Sequence, residues 1–430
     1  MDSKKPLVVI GGGFAGLAFI KHIDRKNRKV ILIDKDNYNS FPPLFYQVAS
    51  AGLDSGSICF ALRREMRSQR AKGCIYHMGN VKRIDSDKHV IYTQFEAIEY
   101  SQLVIAAGTT NNFFGIDRLE KSVYTLKSTT QAIRCRNDIL ERLERAAVSN
   151  DPEYRRRILT FTIIGGGPAG VEIAGALGEM KRYILRREYP GISPDEVTVT
   201  LIEGTNRLLG AMSEYSSRKA LDYLGSLMVN VKLGYQLDSY KDNVITFRNG
   251  EKLPSELVIW TAGVTSNSFE FIGHKPEIGH GGRLIVDEYN RVAGLEDVFA
   301  LGDICLMTSD KWPHGHPQVA QVALQQAKNL AHNLRRGQFS KAFVYKDKGT
   351  MATVGRNRAV ADLNHIRLHG RIAWFAWMGV HLMSILGMRN RLTVFITWVW
   401  AYFTYSASLR LILRPTKYPL RDRHKDISDA

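Results

Sequence analysis

Two glycine-rich turns of one design fix most of what this chain can fold into: Gly11-Gly12-Gly13-Phe14-Ala15-Gly16 and Gly165-Gly166-Gly167-Pro168-Ala169-Gly170. Each follows an apolar run and leads to a second apolar run that closes on an acid. In such a strand–turn–helix unit the first glycine (Gly11, Gly165) makes the tight turn, the second (Gly13, Gly167) lets backbone approach a pyrophosphate, and the third (Gly16, Gly170) lets helix pack on strand. The phosphates then rest on a helix N-terminus. Residues 7–10 and 30–33 are the expected strands of the first unit, and Asp34, eighteen residues past Gly16, is placed to hydrogen-bond an adenosine ribose. Residues 159–164 and 197–202 repeat the plan and end on Glu203, thirty-three residues past Gly170. The usual spacing is about 20, so the excess predicts a lengthened helix and a loop over 189–196. The expected architecture is α/β, with two Rossmann-like units and two nucleotide ligands.

A chain of 430 residues can hold two or three such units. Its slightly negative mean hydropathy argues against a polytopic membrane protein. Met1 to Lys5 run straight into the first strand, which leaves no space for a signal peptide and predicts folding in the cytoplasm. The four cysteines, Cys59, Cys74, Cys135 and Cys305, are scattered, with no CxxC and no zinc spacing, so neither a metal site nor a dithiol relay is expected. A formal charge of +17 suits nucleic acid, an anionic membrane or an acidic partner equally well. Its placement is more telling. Residues 366–430 carry ten Lys and Arg against three Asp, in the same segment as the longest aromatic and apolar stretches.

Residues 103–109 read as a buried strand ending in the small-residue turn Ala107-Gly108-Thr109, and residues 257–263 repeat it at Ala262-Gly263. Both are places where the chain can pass from one nucleotide unit to the next, close beside a cofactor. A further strand ends on Gly302-Asp303. The order of these segments resembles the flavoprotein pyridine-nucleotide oxidoreductases with two dinucleotide domains. The resemblance implies FAD in the first unit, NAD(P)H in the second, and Asp303 bonded to the ribityl or pyrophosphate region of the flavin. Such chemistry needs no protein nucleophile, because hydride passes from nicotinamide to flavin while the protein supplies geometry, electrostatics and exclusion of water. Glu172 is expected on the first turn of the second fingerprint helix. It is either a catalytic acid at the nicotinamide end or an acid favoured by the helix dipole, worth under about 1 kcal/mol.

Helical spacing puts Gln321 and Gln325 one turn apart on one face, two neutral amides suited to a quinone carbonyl or to a solvated helix face. The surrounding HPQVAQVALQQ resembles the quinone motif of type II NADH dehydrogenases, the single-subunit NADH:quinone oxidoreductases. Residues 40–49 with Pro43 resemble that family's flavin-side loop, residues 349–355 its GxMAxxG segment, and GGGPAGVEIAG its second fingerprint. Leu324 stands where some eukaryotic members carry His, so no histidine proton donor transfers to this position. Glu203 favours NADH, since a carboxylate at the ribose repels a 2′-phosphate; Arg207 nearby keeps NADPH as a minor alternative. The resemblance implies bound FAD, NADH as donor, and ubiquinone or menaquinone as acceptor, without ion pumping.

Residues 372–388 and 392–409 contain no Asp, Glu, Lys or Arg and are bracketed by arginines. Each is near the lower limit of about 17 residues for a spanning helix. Trp398, Trp400, Tyr402 and Tyr405 occupy the middle of the second, whereas spanning helices carry such rings at their ends. Thr393, Thr397, Thr404 and Ser408 fall within a wedge of about 60°, and Phe395, Trp398, Val399 and Tyr402 fall outside it. This describes helices lying in the lipid interface, and His381 and Trp377 are candidates to line a quinone passage there. The expected partners are a lipid surface and the quinone pool, at the cytoplasmic face of the inner membrane, with no nucleic acid. A homodimer is left open. The expected divisions are 1–120 and 271–365 for FAD, 121–270 for NADH and 366–430 for membrane attachment. A sulfide:quinone oxidoreductase-like enzyme, with Cys135 and Cys305 as its thiols, or a redox-sensing flavoprotein are the competing readings.

Overall fold

The computed structural model describes residues 5–24, 28–68, 71, 73–364, 366–404 and 409–413. Its two largest sheets are five-stranded, parallel and built on one plan. The first runs Val298–Ala300, Gln102–Ile105, Leu7–Ile10, Val30–Asp34, Cys74–Met78. The second runs Tyr124–Thr125, Leu257–Trp260, Thr160–Ile164, Thr198–Glu203, Val229–Leu233. In each, the fingerprint strand is central, the acid-ending strand lies on one side, and the strand leading to the small-residue turn lies on the other. Parallel strands covered on both faces need unbroken apolar runs, and Leu7–Ile10 and Leu257–Trp260 are buried along their whole length.

The first fingerprint helix, Phe14–His22, packs along helix Ala320–Arg336, with Ala15, Ala18, Ala323, Ala327 and Ala331 sharing one core. Small side chains there let the two helices approach closely, which carries the glutamine-bearing helix up to the first nucleotide turn. The thirty-three-residue spacing is accounted for as expected. Helix Pro168–Glu179 runs without a break through a π-helical turn, Met180–Ile184, into Leu185–Glu188, and a loop with a capped 3-10 turn follows.

The chain passes between the two parallel sheets twice, and the two passages pair with each other. Thr109–Asn111 and Val264–Ser266 form an antiparallel ribbon, with Thr109 opposite Ser266 and Asn111 opposite Val264. A third sheet, Thr350–Thr353, Ala359–Leu363 and Ile366–His369, packs on helix Pro168–Glu179 and on the first C-terminal helix, Gly370–Ser384. The division expected at 365/366 therefore falls inside a strand hairpin, and the sheet groups with the C-terminal helices.

Among the described residues no helix is long and apolar enough to cross a membrane. Helices Gly370–Ser384 and Met388–Thr404 form a hairpin laid against the body. The second docks through Asn390, Val394 and Trp398, one residue per turn, while Ile396, Trp400 and Phe403 are exposed. Trp398 was expected on the outward apolar face, and this is corrected: it is 8% exposed, against 61% for Trp400 and 77% for Phe403. Thr393, Thr397 and Thr404 donate to the carbonyls of Arg389, Thr393 and Trp400 one turn back. Tyr405, Ser408 and residues 414–430 lie outside the described residues.

Candidate functional site

The two fingerprints are near copies in space. Gly11 and Gly165 adopt φ of +103° and +110°, and a Cβ on either would strike the backbone of Ala106 or Ala262. A Cβ on Gly16 or Gly170 would lie 1.9 or 1.8 Å from the carbonyl oxygen of Gly11 or Gly165. Gly13 and Gly167, in contrast, face nothing within 4 Å, and no side chain caps the helices they begin. Uncapped helix N–H groups beside open space are what a pyrophosphate requires, so the residues fit a dinucleotide in both units. Asp34 accepts the N–H groups of Gly12 and Asp36, and Glu203 those of Gly166 and Thr205. Asp34 also lines a cavity with Gly11, Lys35, Asn80, Ala107 and Phe269, of a size and place suited to an adenosine moiety. Arg207 donates to the carbonyl of Gly210.

The small-residue turns are held by their neighbours. Asn267 donates to the carbonyl of Ala107, and its N–H goes to that of Gly108. Lys127 donates to the Thr109 hydroxyl at 3.2 Å. Gly302, at φ +75°, gives its N–H to the buried Gln326 amide oxygen at 2.8 Å. Burial raises the Asp303 carboxyl, while Lys127 and Arg283 pull it back down. Lys127, Gln326 and Asn267 went unassigned in the sequence because each acts through a long-range contact that spacing does not encode. Pro43 lies in the 3-10 turn Pro42–Leu44, directly ahead of helix Phe45–Ala49, which carries Tyr46 and Gln47.

A second, mostly apolar cavity opens between the body and the C-terminal hairpin. Tyr46, Gln47, Thr353, Trp377, Trp398 and Tyr402 line it, and the π-helical turn contributes Met180 and Tyr183. Glu172 lies against this wall. Its helix begins at Pro168, so it occupies the second turn and not the expected first. Its carboxyl accepts the Thr353 N–H at 3.5 Å. Desolvation pushes it up to about 8, with Thr353 and the Trp377 indole acting in the opposite direction. At neutral pH it therefore holds a proton.

The structure does not join Gln321 and Gln325 to this group. Gln321 bonds the carbonyl of Gly349 and the N–H of Lys348, and Gln325 bonds both backbone groups of Lys346. Their amides anchor residues 346–349 to the helix instead of facing the cavity. Gly349 and Thr353 are some four residues apart along one extended segment, about 13 Å at 3.3 Å per residue, so the glutamines and Glu172 mark opposite ends of it. His381 donates to the carbonyl of Trp377 at 2.8 Å and stacks on that ring at 4.0 Å. Burial pushes it down to about 4, which keeps it neutral. None of the four cysteines is in a disulfide; Cys135 and Cys305 are buried with raised pKa, Cys305 to about 11, which disfavours the thiolates that sulfide chemistry needs.

A profile of the pyridine nucleotide-disulphide oxidoreductases matches residues 5–327, and one of the NDH2 C-terminal domain matches residues 348–405. The type II NADH:quinone oxidoreductase Ndh of Mycobacterium tuberculosis is 31% identical, over 91% of this chain and 87% of that one. The internal alternative NAD(P)H-ubiquinone oxidoreductase A1 of Arabidopsis thaliana is 28% identical over 93% of this chain and 84% of that one. Among solved structures, NDH2 from Plasmodium falciparum in complex with NADH superposes with a TM-score of 0.86 at 22% identity, covering 96% of this chain and all of that one. The sulfide:quinone oxidoreductase of Aquifex aeolicus reaches 0.67 at 18% identity, covering 96% of each chain.

Proposed function

Because the chain belongs to the type II NADH:quinone oxidoreductases, which use FAD, NADH and quinone, we propose that the cavity under its C-terminal hairpin receives the quinone and that Glu172 supplies it with a proton. The observation that carries this reading is a buried carboxyl on the second fingerprint helix, bonded to the N–H of Thr353, which lines an apolar cavity beside an exposed apolar surface; burial raises that carboxyl. FAD, when bound, takes two electrons as hydride from NADH and passes them to the acceptor. Reducing a quinone to a quinol consumes two electrons and two protons. Hydride accounts for one proton, and the other has to come from the protein or from water. Gly11, Gly13, Gly16, Asp34 and Asp303 are assigned to FAD, and Gly165, Gly167, Gly170 and Glu203 to NADH.

Anaerobic stopped-flow spectroscopy tests the reading. NADH should bleach the flavin and decylubiquinone should restore it. Ala176→Phe, which fills the cavity, should slow that restoration at least about tenfold; an unchanged rate places the acceptor elsewhere. Glu203→Gln should raise relative use of NADPH about tenfold, because one unit of negative charge leaves the ribose site. A fixed ratio of kcat/KM for the two cofactors removes Glu203 from this role.

The enzyme associates with the membrane peripherally, and the reading places the hairpin's outer face in the cytoplasmic leaflet. Trp400→Ser with Phe403→Ser removes two exposed rings, each worth about 2 kcal/mol of burial. Flotation with anionic liposomes should then fall by more than about tenfold. Undiminished flotation would assign attachment to another surface.

A further inference from the structure

A hydrogen-bonded chain connects the hairpin to the cavity, and the chemistry of its first member fixes the direction of every bond. The indole N–H of Trp398 can only donate, and it stands 2.8 Å from Gln47 Oε1. The oxygen of Gln47 therefore faces Trp398 and its amino group faces Tyr46, with Nε2 2.8 Å from the hydroxyl oxygen. Rotating the amide by half a turn would set N–H against N–H, so this orientation is imposed by the tryptophan. An amino group cannot accept. Tyr46 must receive that bond on its oxygen and direct its own proton elsewhere. Within the protein the alternative is the Thr353 hydroxyl at 3.4 Å, long for a bond between two hydroxyls. The cavity is the other.

We propose that Tyr46 donates a hydrogen bond to the carbonyl of the bound quinone, and that Trp398, on the hairpin, sets it in this role through Gln47. The inference rests on the cavity being the acceptor's site. A quinone carbonyl can only accept, and its oxygen gains negative charge as electrons arrive, so a donor fixed in advance stabilises the reduced form more than the oxidised one. Burial and the neighbouring Glu172 raise the Tyr46 hydroxyl, which keeps it protonated. Tyr46 orients and polarises; it does not give up its proton, which Glu172 supplies. Trp398 and Gln47 are positioning residues, and their geometry exists only while helix Met388–Thr404 is docked.

The test uses the FAD-loaded full chain with Tyr46→Phe, Gln47→Glu and Trp398→Phe. Gln47→Glu keeps the shape but offers two acceptor oxygens, which draws the tyrosine proton away from the cavity. Each change should lower flavin reoxidation by decylubiquinone about tenfold relative to reoxidation by ferricyanide, which needs no carbonyl contact. Decylubiquinone affinity without NADH, read from tryptophan fluorescence quenching, should weaken for Tyr46→Phe. The double variant Tyr46→Phe/Gln47→Glu should be no slower than Tyr46→Phe alone, since both remove one donor. A wild-type ratio in Gln47→Glu, or additive losses in the double variant, overturns the assignment even if Trp398→Phe fails to fold. Ala176→Phe separates the two levels. If it slows the quinone while the three variants do not, only the donor assignment falls; if it too is without effect, the cavity reading falls first.

Discussion

Gly16→Ala is expected to give a protein without yellow colour. Its methyl group would sit 1.9 Å from the carbonyl oxygen of Gly11, and both partners are backbone in a turn that also cradles phosphate. Relief requires the fingerprint helix to move off the strand, at a cost of about 3 kcal/mol, or roughly a hundredfold in FAD affinity. Gly170→Ala makes the same collision, 1.8 Å from the Gly165 oxygen, in the second unit. That variant should remain yellow and bleach with dithionite, yet bleach about a hundredfold more slowly with NADH. Flavin absorbance per protein and anaerobic reduction rates decide the matter. The opposite pairing of outcomes would exchange the two cofactors between the units.

Glu172→Gln should slow quinone reduction by about two orders of magnitude or more, the usual worth of a positioned general acid being about 10²–10⁴. In the parent enzyme the flavin reoxidation rate should hold below about pH 8 and fall above it, as the raised carboxyl ionises; the variant should lose this dependence. Stability should move the other way. The folded pKa lies above its ordinary value of 4.5, so the parent is unaffected at pH 4, loses stability as pH climbs from about 4.5 to 8, and levels off beyond. The neutral amide escapes that loss. At pH 8 the variant should be more stable by an amount of the order of 4 kcal/mol, and at pH 4 the two should unfold alike. Equal unfolding at both pH values would mean that Glu172 is not a buried neutral carboxyl.

Local rules carried far here because nucleotide units are built from short-range pattern. Unbroken apolar runs marked the parallel strands, the glycine spacing marked the turns, and the excess residues before Glu203 marked a long helix. The acceptor side was less legible. Its wall is assembled from residues 46–47, 353, 377 and 398, with Glu172 behind it on the Thr353 N–H, and nothing local in any of those segments reveals the others. Gln321 and Gln325 are recognisable as a pair of amides on one helix face, but whether another part of the chain covers that face depends on the course of residues 346–349. Helical angle alone sets Trp398 outside the Thr–Ser wedge and toward lipid; in the fold it packs inward with Asn390 and Val394 and donates to Gln47.

The ribbon formed by Thr109–Asn111 and Val264–Ser266 binds both passages between the parallel sheets to each other. Swinging one nucleotide platform away from the other has to bend both crossing strands together, because three residue pairs tie them side by side. The two passages thus act as one mechanical linker instead of two independent tethers.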